Sequence, residues 1–427
     1  MDSVARGTVI NVCTRVLGIA LGLSIVLVTA RLGPREQGAF ALFTAVESAL
    51  LMLGSGFGVS LARRVSHHGE RPVGLVGAVL VLCCGLGLAC SLALGGVAML
   101  GDAELGFLGI LAWSVPIMFI TPSLSGLWLG SARMMSLARI NLAAPLLTLV
   151  GMGLALVVNP AIGLQAVLWS WAATRVLVGL ATLAAAWRQG WIGRPRFDAL
   201  SSEMRFVMVI GLTNVIGLLN YKADLFLVEH FLGRASTGLY SVAVMVAELL
   251  WMVSSSVTQA AYARIGTPDG VEAGRITLRV IHASLLTLMV LAPLLWLAAM
   301  VLLPRILTAE YAAALPVLAC LLPGVMAYGA ASALSAYFTN HAGRPLIPAA
   351  LAGFSLVVNV VLSILFIPRF GMMGGAIATT ASYFASIGVA VVVFQQISGM
   401  PLRRLLQLDW RAMLADLRRL GRRAQRA

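Results

Sequence analysis

Six ionisable residues stand in long stretches of this sequence that are otherwise apolar, and their side chains are the ones best suited to do chemistry there. A charged group inside such a stretch is costly to bury, so it usually faces a polar cavity or pairs with an opposite charge. The six residues form two chemical sets, three bases and three acids. They are Arg15, Arg175 and Lys222, and Glu47, Asp224 and Glu248.

The three bases are suited to an anionic ligand. The guanidinium groups of Arg15 and Arg175 are planar forks that bind phosphate oxygens in pairs. Lys222, which is the only lysine of the chain, adds a point charge. We predict that these three residues bind substrate in a solvated central cavity, with a pyrophosphate or an acidic sugar as the anion.

The three acids allow two interpretations. Glu47, Asp224 and Glu248 could take up a coupling ion, H⁺ or Na⁺, or each could only neutralise a base across a helix interface. Lys222 and Asp224 are two positions apart, so on a helix they point in different directions and should not pair. Asn220, four positions before Asp224, shares its face.

Several kinds of chemistry lack their sequence signatures. The five cysteines have no metal-ligand spacing, so we read them as apolar packing residues and predict no metal site. Tyr221 stands before the single lysine, Lys222, where a Walker A loop needs glycine. Neither a nucleophile elbow nor an H-E-x-x-H motif is present. The sequence therefore predicts no cofactor and no enzymatic activity.

The composition of the chain indicates which kind of secondary structure holds the six ionisable residues. Hydrophobic residues make up 60% of the 427 positions and charged residues only 11%, against about 25% in an ordinary soluble domain. The apolar runs exceed the roughly 18 residues that span a bilayer as a helix, and they do not alternate as barrel strands do. We predict an all-α polytopic membrane protein with about twelve transmembrane helices. The predicted spans are 8–30, 38–61, 74–99, 106–129, 137–158, 163–187, 206–231, 237–262, 279–303, 311–338, 345–367 and 371–395.

The net charge of +14 fits this class better than it fits a nucleic-acid-binding protein. With the N-terminus inside, 22 basic residues fall on the inner side and five on the outer side. Such a bias orients membrane proteins, so we predict both termini in the cytoplasm of a bacterial inner membrane and no nucleic-acid partner. Leucines at helical spacing among the arginines of residues 399–427 predict an amphipathic tail on anionic lipids, although a partly disordered basic tail is the alternative.

Two motifs repeat in the same order. L-G-x-x-x-x-G-x-aromatic begins at Leu32 and again at Leu232, and P-x-x-G begins at Pro160 and again at Pro368. The glycines allow tight turns between neighbouring helices. Six spans per half give parallel repeats, which is a transporter architecture. We predict halves at 1–190 and 206–398, joined by a cytoplasmic linker at 191–205.

These motifs resemble those of a known family. The phrase R-L-G-P-x-x-x-G-x-F at 31–40 is similar to the opening hairpin of Wzx-type polysaccharide flippases, which belong to the multidrug/oligosaccharidyl-lipid/polysaccharide (MOP) exporter superfamily. The stretch 224–243, the loops at 304–314 and 342–344, and G-x-x-G-G-A-x-A-T at 371–379 resemble later parts of that family. The likeness runs over about residues 5–395.

The resemblance implies a MATE-like, V-shaped pair of six-helix bundles around a central cavity. It also implies that the chain flips polyprenyl-pyrophosphate-linked oligosaccharide to the outer face of the membrane for O-antigen, capsule or exopolysaccharide synthesis, by alternating access. Polysaccharide polymerase and glycosyltransferases are then expected partners. An ion-coupled multidrug antiporter shares the fold and stays open as an alternative. A polysaccharide polymerase or ligase is less favoured, because the predicted outer loops are too short for a catalytic domain.

Overall fold

The computed structural model describes residues 3–69, 71–101 and 105–400, and within these ranges the chain is helical throughout, with no strand. Thirteen α-helices follow one another through short connections. The helices are α1 Ser3–Leu32, α2 Pro34–His68, α3 Val73–Leu100, α4 Phe107–Met118, α5 Ile120–Gly130, α6 Met134–Val158, α7 Leu164–Arg188, α8 Phe197–Leu232, α9 Arg234–Ile265, α10 Gly270–Ile306, α11 Ala314–Ala336, α12 Leu346–Phe370 and α13 Met372–Ser398. Short 3₁₀ turns precede α7 and α11, and a π-helical turn, Tyr337–His341, follows α11.

The described ranges contain twelve helical segments that are long and apolar enough to cross a membrane. Helices α4 and α5 together form the fourth of them. They are separated at Phe119, and Pro122, in the first turn of α5, has no N–H to donate to the preceding turn. The predicted all-α class and the number of spans are confirmed, and the chain is a multi-pass membrane protein.

Several helices are longer than the spans predicted from hydropathy. Helix α8 begins at Phe197 and α10 at Gly270, about nine residues before the predicted starts. Asp269 caps α10 by accepting hydrogen bonds from the backbone N–H groups of Val271 and Glu272, at 2.9 and 3.3 Å. Hydropathy detects only the apolar part of a helix. The polar first turns of α8 and α10 are helical as well, and a capping residue stabilises the start of α10.

The repeated glycines adopt matching backbone conformations in the two halves. Gly33 and Gly233 have φ of 131° and 79° with extended ψ, and each precedes the first residue of a helix. Gly163 and Gly371 have φ of 49° and 61° with ψ of −121° and −144°, again directly before a helix. Only glycine adopts these regions without strain, so the turn chemistry that the motifs predicted is present.

A side-chain pair beside the first motif also repeats, with an offset of 200 residues. Thr29 donates a hydrogen bond to Gln37 across the turn between α1 and α2. Thr237 donates one to Glu229 across the turn between α8 and α9, at 2.9 Å. The hydroxyl lies on the first helix of the pair in one half and on the second helix in the other. The two bonded positions are nevertheless the same in both repeats.

The chain divides into two compact units, Met1–Leu219 and Asn220–Ala427. In the first unit α2 packs against α5, α3 against α4, and α1 and α7 against α6. In the second unit α11 packs against α9, α10 and α13, and α12 against α13. The division falls inside α8, whereas the halves predicted from the sequence, 1–190 and 206–398 with a linker at 191–205, follow a loop. Those predicted halves, and the V-shaped arrangement around a cavity, stay predictions.

The predicted amphipathic tail at 399–427 lies outside the described residues except for its first two positions. Helix α13 ends at Ser398, and Gly399 follows it in the left-handed conformation with φ of 66°. A glycine in this conformation is a common helix C-cap, and here it closes the last span. The interaction of the tail with anionic lipids stays a prediction.

Candidate functional site

Glu47, on α2, pairs with Arg175, on α7. The Arg175 Nε and the Trp171 Nε1 each donate a hydrogen bond of 2.7 Å to one oxygen of the Glu47 carboxylate. The Arg175 guanidinium also lies 4.5 Å from the centre of the Trp171 ring, within the range of a cation–π contact. Phe40 supports the same ring edge-on at 5.3 Å. Glu47 therefore has a basic partner across the interface of α2 and α7, and its role in coupling stays a prediction.

Arg175 keeps donors to spare after this pairing. Its bond to Glu47 uses only Nε, and the described residues provide no acceptor for its two terminal nitrogens. About a quarter of the Arg175 side chain is exposed, whereas Glu47 is buried. A guanidinium carries five N–H donors, so Arg175 can hold Glu47 and a second anion together.

Lys222, on α8, pairs with Glu248, on α9. The Lys222 Nζ lies 3.4 Å from a carboxylate oxygen of Glu248, and both side chains are about 30% exposed. The contact is long, and an exposed pair of this kind contributes at most about 1 kcal/mol. Lys222 makes no ion pair with Asp224 in the described part of the chain, as their spacing predicted.

Arg15, the third predicted substrate-binding base, lies on α1 and is exposed. Within the described residues it forms no ion pair. Arg175 and Lys222, by contrast, each have a carboxylate partner within their own unit. The substrate-binding role of Arg15, Arg175 and Lys222 stays a prediction.

Asp224 has a different environment from the other two acids. It is fully buried on α8 and accepts hydrogen bonds from the Tyr240 hydroxyl at 2.6 Å and the Thr379 hydroxyl at 3.0 Å. Its other oxygen accepts a bond from the backbone N–H of Leu225 at 2.9 Å. Among the described residues Asp224 forms no ion pair, although the positive charge of Lys222 acts on it from a longer distance.

A second layer of polar side chains lies behind Thr379. The Asn359 side-chain amide, on α12, donates a hydrogen bond of 2.9 Å to the Thr379 oxygen. Ser363, one turn further along α12, donates to the Asn359 oxygen at 3.4 Å. All three side chains are buried. Helices α9 and α13 thus bring hydroxyl groups to the carboxylate on α8, and α12 supports the α13 hydroxyl from behind.

A small cavity adjoins Asp224. It has a volume of about 10 Å³, room for roughly one water molecule. Its walls include Glu248, Thr379 and the aromatic rings of Tyr221, Trp251 and Tyr383. One turn before Asp224, the buried side-chain oxygen of Asn220 has no hydrogen-bond donor among the described residues. The second unit therefore holds a buried acid, spare acceptor capacity and a void of atomic size.

Sequence reasoning found Asp224 but missed the residues that surround it. Tyr240 is the aromatic position of the second L-G-x-x-x-x-G-x-aromatic motif, and Thr379 is the eighth residue after Gly371. Trp171 is likewise the eighth residue after Gly163. The equal spacing of Trp171 and Thr379 from the repeated glycines is the signal that could have identified both polar clusters. Each of the two residues donates a hydrogen bond to the acid of its own half.

The described residues contain no group of three His, Cys, Asp or Glu side chains that could hold a metal ion. The carboxylate cluster at Asp224 instead offers one charge and several neutral oxygens. Buried acids of this kind in membrane helices mark ion pathways and proton relays. The arrangement is suited to a monovalent cation or a proton.

No protein-family model matches the sequence, and no curated protein matches it. Solved structures do match. The lipid II flippase MurJ, in an inward closed conformation, superposes with a TM-score of 0.77 at 13% identity, over 95% of this chain and 90% of that chain. An inward-facing multidrug resistance MATE transporter of the MOP superfamily gives 0.71 at 15% identity, over 90% and 94%. At these identities the likeness shows the fold alone.

The chain therefore has the fold of MOP-superfamily transporters. A MOP-superfamily transporter from Pyrococcus furiosus, whose binding pocket is described as having reverse polarity and suggesting a different function, superposes with a TM-score of 0.58 at 15% identity, over 93% of this chain and 95% of that chain. The finer resemblance to Wzx-type flippases stays a prediction.

Proposed function

We propose that this chain is a cation-coupled membrane transporter that flips a polyprenyl-pyrophosphate-linked oligosaccharide from the cytoplasmic to the outer face of the bacterial inner membrane. Alternating access between the two repeats would carry the cargo. The observation that carries the coupling is the buried Asp224 carboxylate, which is held by hydroxyl groups and forms no ion pair among the described residues.

The coupling proposal follows from the cost of burying charge. An ionised carboxylate without a base is costly to bury in a membrane protein, and binding of a cation or a proton removes that cost. The Tyr240 and Thr379 hydroxyls donate to Asp224 when it is empty, and they can rotate to offer lone pairs to a bound cation. Asp224 thus has a loaded and an unloaded state of different charge, as a coupling site requires.

An anionic cargo is favoured by the spare donors of Arg175 and by the exposed Arg15. A pyrophosphate brings several oxygens that match guanidinium forks, which neutral cargo would leave unused. The contact between Lys222 and Glu248 is long and therefore weak, so the Lys222 ammonium could leave the Glu248 carboxylate and bind a phosphate oxygen instead. This set of residues supports a lipid-linked pyrophosphate over an apolar cation.

The multidrug antiporter remains a second candidate, and one observation favours it. The pairs Glu47–Arg175 and Lys222–Glu248 neutralise two of the three bases, which leaves less positive charge for an anion than the sequence alone suggests. A polymerase or ligase is disfavoured, because the described connections opposite the arginine-rich side are short. Partnership with a polymerase and with glycosyltransferases belongs to the flippase proposal.

Deletion of the gene separates the candidates. A flippase deletant accumulates lipid-linked glycan on the cytoplasmic face and loses surface glycan, and the wild-type gene restores both. Arg175→Gln, expressed in the deletant at wild-type level, should restore surface glycan poorly, whereas Arg369→Gln at the predicted outer end of α12 should restore it fully. Normal surface glycan combined with drug hypersensitivity in the deletant would favour the antiporter and sink the flippase.

A further inference from the structure

A broad basic basin lies in the first unit, away from the charged residues considered above. It has a volume of about 610 Å³ and is open to solvent. The end of α2, the start of α3, the connection between α7 and α8, and the start of α8 form its walls. Its basic residues are Arg64, Arg71, Arg194 and Arg196.

The basin is built by the connection between α7 and α8, which lies along the first turn of α3. The Gly193 N–H donates to the Val73 carbonyl at 3.1 Å, and the Arg196 N–H donates to the Gly74 carbonyl at 3.0 Å. Gly77 permits this approach, since a Cβ there would lie 2.3 Å from the Gly193 oxygen. Arg194 and Arg196 are thus fixed beside the start of α3.

Carboxylates balance only part of the positive charge. Glu203 bonds Arg64 at 2.7 Å, and Asp198 bonds Arg196 at 3.1 Å, where both side chains of the second pair are 70% exposed. An exposed pair of that kind holds its partners weakly. Among the described residues, two of the four arginines of the basin pair with a carboxylate, and Arg71 and Arg194 form no ion pair.

The remaining two arginines keep their donors. The guanidinium of Arg71 lies 5.4 Å from the centre of the buried Trp191 ring. The ring contacts the face of the guanidinium, so the nitrogens at the guanidinium edge can still donate to an acceptor. Arg194 is exposed and has no acceptor among the described residues. Two guanidinium forks thus border one open volume, and the described residues around it give neither of them an acceptor.

The level of the basin relative to the apolar spans indicates its ligand. The apolar span of α2 ends at Ser66 and that of α3 begins at Val73, so Arg71 stands where a lipid headgroup meets the helix ends. This end of the bundle carries the arginine excess and is predicted to be cytoplasmic, where anionic lipids attract basic residues. A phosphate there would meet guanidinium forks at the level of its own headgroup.

We propose that this basin is a binding site for the phosphate group of an anionic membrane lipid, with Arg71 and Arg194 as its principal ligands. The site differs from the C-terminal tail predicted to contact anionic lipids, and it does not depend on what the protein transports. The lipid-linked pyrophosphate offers the same chemistry, so the test must separate the two lipids.

The test measures lipid binding to the purified full-length chain in detergent. Phosphatidylglycerol, phosphatidylcholine and polyprenyl diphosphate are titrated separately into wild type and into the double variant Arg71→Ala/Arg194→Ala. Arg264→Ala/Arg275→Ala is the matched control, because it removes two exposed arginines from the second unit. The variant Arg71→Lys/Arg194→Lys keeps both charges but loses the bidentate guanidinium donors. It replaces the alanine variant in the test if the alanine variant fails to fold.

We expect phosphatidylglycerol to bind about 30-fold more weakly to the alanine variant, at roughly fivefold for each arginine near an anionic surface. The lysine variant should lose less, and the control should match wild type. Equal weakening of the control would show a general charge effect and overturn the site, as would wild-type affinity in the alanine variant. A loss confined to polyprenyl diphosphate would overturn the assignment to a membrane lipid.

Discussion

Asp224→Asn is the substitution that tests the coupling mechanism most directly. It keeps the size of the side chain and one acceptor oxygen but removes the charge. Tyr240 and Thr379 can each keep a bond to the amide, because a hydroxyl both donates and accepts. We expect the variant to fold with an unfolding free energy within about 1 kcal/mol of wild type, because weaker bonds to the amide are offset by removal of a buried charge.

The effect on cation binding should be much larger than the effect on folding. Two opposite unit charges about 4 Å apart interact by about 4 kcal/mol at an effective dielectric constant of about 20. That energy corresponds to an affinity loss of about 1,000-fold. The neutral oxygens near Asp224 cannot replace it, so Na⁺ affinity at this site should fall by about that factor. If the coupling ion is H⁺, the amide imitates the protonated state permanently.

The assay is transport in proteoliposomes under an imposed Na⁺ gradient and, separately, an imposed pH gradient. One of the two gradients should accelerate transport by wild type, and it should have no effect on Asp224→Asn. Glu229→Gln is the matched control on the same helix, because Glu229 pairs with Arg234 and Thr237 and lies apart from the Asp224 cluster. Full gradient dependence in Asp224→Asn would refute Asp224 as the coupling site.

Four further substitutions, in three experiments, test the packing within the two units, with unfolding in detergent as the measurement. Glu47→Gln and Arg175→Gln should couple by about 1–3 kcal/mol in a double-mutant cycle, and strict additivity would mean that their short bond contributes nothing. Gly126→Ala should cost about 1–3 kcal/mol or prevent folding, because its Cβ would overlap the backbone oxygen of Gly58 on α2, whereas wild-type stability would contradict that close approach. Gly233→Ala should cost about 1–3 kcal/mol through its φ of 79° alone, since nothing lies within 4 Å of the added Cβ, and an unchanged stability would show that the turn relaxes.

The elements of this fold could be predicted because a membrane limits the choices. Apolar runs of spanning length can only be helices or barrel strands, and their continuity favours helices. Glycine at Gly33, Gly163, Gly233 and Gly371 marked the turns, because few other residues adopt their conformations. The break between α4 and α5 was not predicted, although Pro122 stood in the sequence, because one proline in a long span more often bends a helix than ends it.

Side-chain partners were harder to predict than elements. Helical spacing excluded a bond between Lys222 and Asp224, but it could not choose which acid Lys222 would reach on another helix. That choice depends on how α8 packs against α9, which no local pattern records. Tyr240 had been read as part of a turn motif, and only the packed structure shows its hydroxyl on Asp224.

The two halves carry a hydrogen-bond donor at equivalent positions, but the charges around that donor differ. Trp171 and Thr379 occupy equivalent places, eight residues after equivalent glycines, and each donates to the acid of its own half. In the first half the acid is Glu47, and Arg175 supplies a permanent cation. The residue at the register of Arg175 in the second half is Tyr383, twelve positions after Gly371, so an uncharged phenol stands where the first half has a guanidinium. Among the described residues Asp224 forms no ion pair, and the cation coupling that we propose would use this difference between the halves.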